Sequence, residues 1–266
     1  MSPDEVIVTV AAVIVGPLLW AFWLFRMTQL EVIGERRIGT GTIAGTLGFS
    51  ALLIFAVLKT GASFDVVDAP QYLFMYVVLG LAWLWVVATI FPYLGLSPRD
   101  DVFERHNRAA VPAVRGALVG VTLCYAGGNI GDGPGWWVVV FAAALATSVL
   151  LISWMALTQL SSVADAVTID RDPAAGIRLG AFLVSCGVIL GRAVAGDWHS
   201  ASATVADFSV FLPYVLLLVI AATLFERRAQ PTPQSPHAAI VGSGVLPSLI
   251  YVIIAAGALA IMGWPT

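Results

Sequence analysis

Residues 107–116 read Asn-Arg-Ala-Ala-Val-Pro-Ala-Val-Arg-Gly, and the phrase returns twice further along the chain. Residues 171–180 read Arg-Asp-Pro-Ala-Ala-Gly-Ile-Arg-Leu-Gly, and residues 235–244 read Ser-Pro-His-Ala-Ala-Ile-Val-Gly-Ser-Gly. Ala110, Ala174 and Ala238 are 64 residues apart, as are Gly116, Gly180 and Gly244. A weaker copy, Gly-Thr-Ile-Ala-Gly-Thr-Leu-Gly at 41–48, is displaced by 68 residues from Gly116. A helix crossing the hydrocarbon core takes about 20 residues, so a sixty-odd-residue unit holds two crossings and two short loops. The spacing therefore predicts four helical hairpins, at about 1–61, 70–131, 135–196 and 205–263. Each hairpin crosses twice, so all four point the same way. Any axis relating them lies along the membrane normal, unlike that of inverted-repeat transporters.

The composition agrees with a membrane setting. Of the 266 residues, 59% are hydrophobic and only 11% charged, against about 25% charged in soluble domains; the mean hydropathy is +0.93. Such a chain cannot cover itself with a water-soluble surface, and it is too apolar for disorder. Two cysteines do not make a disulfide scaffold, and a net charge of −3 with no long basic run gives no nucleic-acid surface. Eight apolar runs fall at 6–25, 41–58, 71–93, 109–125, 135–157, 174–195, 205–225 and 238–262. They are continuous rather than alternating, which predicts helices and not a membrane β-barrel. The expected fold is all-α: a single polytopic membrane domain of eight transmembrane helices. The leader Ser2-Pro3-Asp4-Glu5 is acidic, so the first run reads as a retained helix rather than a signal peptide.

Charge sets the expected orientation. Arg26, Arg36, Arg37, Arg99, Arg105, Arg108, Arg115, Arg171, Arg178, Arg227 and Arg228 flank the odd-numbered connections, whereas only Lys59 and Arg192 flank the even ones. The positive-inside rule puts the odd connections in the cytoplasm and both termini outside. Small residues four apart let helix backbones approach closely in lipid. Gly41/Gly45, Gly116/Gly120, Gly176/Gly180 and Gly187/Gly191 all lie in the second helix of a hairpin. The even-numbered helices are thus expected to form an inner, tightly packed layer, and the odd-numbered ones to face lipid. Pro17, Pro92, Pro213 and Pro247 are expected to kink their helices.

These phrases resemble the YjfL family, bacterial inner-membrane proteins built on domain of unknown function three-hundred-fifty. The match is carried by Asn107, Ala109 and Ala110 with Gly116 and Gly120, and in the next copy by Ala174 and Gly180 with Gly187 and Gly191. The last copy keeps Ala238 and Gly244, and Arg171 stands where the family has Asn. The resemblance covers about residues 95–262 and implies a doubled form of the family's tandem pair, in a bacterial plasma membrane. It brings no catalytic residue.

The chemistry-bearing residues are few. Near the span midpoints the sequence shows no Asp, Glu, Lys, Arg or His, the usual pointer to transport. Arg192 falls about 27 Å along its helix from Ala174, at 1.5 Å per residue, where it can snorkel or meet a lipid phosphate or other anion. Arg115 and Arg178, just inside their helices, read as snorkelling anchors or as lipid-headgroup contacts. The loop Arg99-Asp-Asp-Val-Phe-Glu-Arg-His-Asn-Arg108 reads as a solvated, self-neutralising segment on which a cytoplasmic protein could dock. No pattern of metal ligands, cofactor site or catalytic set emerges, and the chain reads as a non-enzyme. The expected function is a membrane scaffold or envelope-stress component working through partners. The alternative is a channel or carrier lined by Thr42, Thr46, Ser50, Thr122, Ser185, Ser243 and Ser248.

Overall fold

The computed structural model of the chain describes residues 1–29, 38–229 and 240–263. The eight long helices are α1 (Pro3–Thr28), α2 (Gly39–Gly61), α3 (Pro70–Ala88), α4 (Ala110–Gly127), α5 (Trp136–Leu160), α6 (Pro173–Ala193), α7 (Leu212–Arg228) and α8 (Ile240–Met262). A short helix, Ala201–Ser209, precedes α7 at a bend of 43°. Seven helices are long and apolar enough to cross a membrane, and the bent pair makes eight if it counts as one span. Among the described residues no strand forms, only one isolated bridge between Ala62 and Gly131. The chain is an all-helical, multi-pass membrane protein.

The prolines break helices in several ways. Pro17 lies within a wide π-turn, Ile14–Leu18, that bridges the two halves of α1. Pro92 belongs to a separate 3₁₀ turn, Phe91–Leu94, so α3 stops short of the run read from the sequence. The bend before α7 comes at residues 210–211, just ahead of Pro213. Pro247 follows the π-turn Ile240–Val245 that opens α8.

Helices α2, α4, α6 and α8 form a row in that order, and α4–α6 is much its most extensive contact. Helix α3 packs on α2 and α4, α5 on α4 and α6, and α7 on α6 and α8, while α1 packs on α3. This corrects the expectation of a uniform inner layer. The apolar windows of α4 and α6 are 72% and 78% buried, but those of α2 and α8 only 33% and 28%, less than the 50% of α5. A row has ends, and its end helices have one neighbour fewer. Gly41 and Gly45 show the difference at residue level, since a Cβ on either would meet nothing within 4 Å.

Two helix starts fix the centre. Asn107 Oδ1 accepts from the Ala109 N–H at 3.0 Å, and its Nδ2 donates to the Val167 carbonyl at 2.7 Å. Asp172 accepts from the N–H groups of Ala174 and Ala175 at 3.0 and 3.2 Å, with Pro173 as first helical residue. Both satisfy otherwise orphaned donors: Asp172 is the N-cap of α6, and Asn107 caps the tight turn, closed by Ala110 N to Asn107 O, that leads into α4. The preceding loops match bond for bond: Asn107 N donates to Asp101 O, and Asp172 N to Ala166 O. His106 and Arg171, each one residue before the cap, both have positive φ, 48° and 53°. The residue standing where Asn107 stands is therefore Asp172, not Arg171. The loops correspond at a spacing of 65 and the helix glycines at 64, so α4 carries one extra residue between cap and glycine.

Candidate functional site

The one buried charge pair among the described residues lies where α6, α7 and α8 meet. Arg178 and Glu226 are 1% and 4% exposed. The guanidinium grips the carboxylate with both arms, Nε to Oε1 at 2.6 Å and Nη2 to Oε2 at 2.7 Å. Its Nη1 donates to the Ser243 carbonyl at the start of α8. Fork-to-fork pairing of this kind is the strongest geometry open to the two side chains. Asp172 and Tyr251 lie within electrostatic reach of both charges. On the same three helices the hydroxyls of Ser185, Thr223 and Tyr251 are buried with no hydrogen-bond partner.

This overturns one expectation. Arg178 does not snorkel and is not a lipid contact, because its charge is turned inward and fully used. The pair lies toward the helix ends, away from the span midpoints, where the sequence has no ionisable residue. Arg178 is the sixth residue of α6, about 8 Å along it at 1.5 Å per residue, and Glu226 is two residues from the end of α7. In the folded chain Arg178 lies off the partly exposed stripe of α6, which runs through 177, 181, 184, 188 and 192, but packing sets that stripe and the sequence does not display it. Glu226 gave no signal either, since Glu-Arg-Arg at a helix end reads as a solvated flank.

The other predicted residues separate. Arg115 is exposed on α4 beside a shallow groove floored by Gly116 and Gly180, on the side of the α4–α6 pair that α5 leaves uncovered. Arg192 donates Nε to the Gly263 carbonyl at 2.7 Å and stacks over Phe211 at 5.5 Å. It borders an opening that it shares with Asp197 and Asp207, surroundings that disfavour an anion. In the 99–108 loop, Arg99 pairs with Glu104 at 2.9 Å at the surface. That loop is less solvated than expected: Asp101 is buried, accepting from Ser97 N at 2.8 Å and Arg105 at 3.1 Å. Phe103 is buried edge-on to Trp23. Ala238 lies outside the described residues.

The small residues build the seam between α4 and α6. A Cβ on Gly116 would stand 2.3 Å from Gly180 Cα, and one on Gly127 2.0 Å from Gly191 O. A Cβ on Gly187 would stand 2.6 Å from Gly120 O, and one on Gly176 1.9 Å from Ala109 O. Backbone touches backbone along the whole contact. Several of the hydroxyls expected to line a pore are spent on packing: those of Ser50 and Thr122 bond one another across α2–α4 at 2.8 Å, Thr46 bonds Thr42 O and Ser248 bonds Gly244 O, while Ser185 is one of the unpartnered hydroxyls beside Arg178 and Glu226. Compared with family models, with curated proteins and with solved structures, the chain matches none.

Proposed function

We propose that the chain is a non-enzymatic scaffold of a bacterial plasma membrane, made of four parallel hairpins with both termini outside, and that it works through protein partners. The observation that carries this reading is the glycine seam: where an axis of four hairpins would need a path, α4 and α6 meet backbone to backbone. The recurrence at 65 residues of the loop hydrogen bonds and of the positive-φ residue supports a duplicated hairpin. The eleven-to-two division of Arg and Lys supports the orientation. The resemblance to YjfL-like proteins supports the compartment.

On this reading the exposed part of the 99–108 loop is the docking surface, since Arg99, Asp100 and Glu104 carry its exposed charge. Cross-linking in native membranes tests it. A partner captured by the wild type is expected to be lost with the double variant Arg99→Ala/Glu104→Ala and kept with Arg227→Ala, on a different loop. Equal capture by all three removes the loop from the account.

A carrier is the second reading, favoured by one observation. A buried Arg178–Glu226 pair beside three unpartnered hydroxyls is the kind of intramembrane polar site that transporters use.

A further inference from the structure

Arg115 and Arg178 are each the sixth residue of their helix, about 8 Å along it at 1.5 Å per residue. Arg178 spends its charge on Glu226. Arg115 is exposed, and among the described residues no acceptor, carboxylate or aromatic ring meets its guanidinium. A guanidinium one and a half turns inside a span is costly unless an anion reaches it.

The groove beside Arg115 has a volume of about 330 Å³. It runs from Pro112 past Gly116 and Gly180 to Val119, Val184 and Val252, and Arg115 is the one charged residue that lines it. Pro112 to Val119 is about 10 Å of helix. With no side chain at either glycine, the floor stays open. Side chains on a helix lean toward its N-terminus. For α4 that is the end with the arginine-rich loops, so Arg115 leans toward the headgroups while the groove runs the other way, toward the middle of the span. Arg108 and Arg171, in the loops that open α4 and α6, are also exposed and without a partner among the described residues, which makes this rim positive.

Whatever covers the groove must bring a negative charge at headgroup depth and an apolar body below it. A second copy seated face to face would bring another Arg115 and no carboxylate. We propose that the groove binds one anionic phospholipid, its phosphate accepting from the Arg115 guanidinium and one acyl chain lying along the glycine floor. The site rests on the membrane setting alone, not on whether the chain is a scaffold or a carrier.

Native mass spectrometry tests the proposal, with the full chain released from micelles holding equal amounts of dioleoylphosphatidylglycerol and dioleoylphosphatidylethanolamine. One phosphatidylglycerol is expected to stay bound, about tenfold more tightly than phosphatidylethanolamine, whose own ammonium competes for the phosphate. Arg115→Leu is expected to weaken that binding by about tenfold. Arg115→Lys, which keeps the charge and loses the fork, is expected to weaken it less. Ala181→Phe fills the groove beneath an intact Arg115 and is expected to weaken it as well. Arg26→Leu removes the same charge at the same membrane face, on α1, and is expected to bind as the wild type does. Glycerol 1-phosphate, a headgroup without chains, is expected not to compete. Equal retention of the two lipids, unchanged retention in Arg115→Leu, an equal loss in Arg26→Leu, competition by glycerol 1-phosphate, or a second copy held in place of lipid and lost in Arg115→Leu would each overturn it.

Discussion

A guanidinium with 1% of its surface exposed has to find its hydrogen-bond acceptors inside the protein. Arg178 finds them in Glu226 and the Ser243 carbonyl, and so ties α6 to α7 and α8. Removing one partner strands the other charge in an apolar interior, at a cost of about 3–5 kcal/mol, whereas removing both leaves no charge to solvate. Arg178→Leu and Glu226→Leu are each expected to lower unfolding stability in detergent by that amount. The double variant is expected to recover most of the loss. A double variant as unstable as the two losses added together would show that the pair is not coupled. At this scale the sequence was least legible. Arg178 and Glu226 are 48 residues apart and each sits among residues typical of a helix end, so only the packing of three helices joins them. Asp172 was hidden differently. Alignment on the glycines pairs Asn107 with Arg171, and only the loop hydrogen bonds show that the cap has moved by one residue.

Among the elements, α4 and α6 set the architecture, and their glycines decide how close they come. Lipid solvates leucine as well as a neighbouring helix does, so these helices gain by close van der Waals approach rather than by the hydrophobic effect. Gly116→Ala would put a methyl group 2.3 Å from Gly180 Cα, where no flexible side chain can yield. It is expected to destabilise the protein by about 1–3 kcal/mol, as overpacking does. Gly41→Ala, which meets open space, is expected to be neutral or stabilising by up to about 1 kcal/mol, because alanine gives up less backbone entropy in a helix. Equal effects in thermal unfolding of the two variants would contradict the assignment of the seam. The sequence displayed both glycine pairs with the same four-residue spacing. It could not say which pair meets a partner, since that depends on position in the row rather than on the helix itself.

For the whole molecule, the spans were legible because a bilayer imposes a length and an apolarity that no soluble element needs. The ends of helices were less so. The run through 93 stops at Ala88 because Pro92 cannot donate to the ladder, and the run from 205 bends before Pro213. The hydroxyls show the limit of reading a lining from composition. Ser50 and Thr122 could have faced a path, and instead bond one another. What distinguishes a scaffold from a channel is thus whether the α4–α6 seam stays shut in a membrane. Passive flux of protons, potassium and chloride into liposomes holding the folded, inserted protein measures that directly. The account predicts no flux above empty liposomes. A protein-dependent flux that changes in Arg178→Leu/Glu226→Leu would contradict it and make the buried pair part of a conduction path.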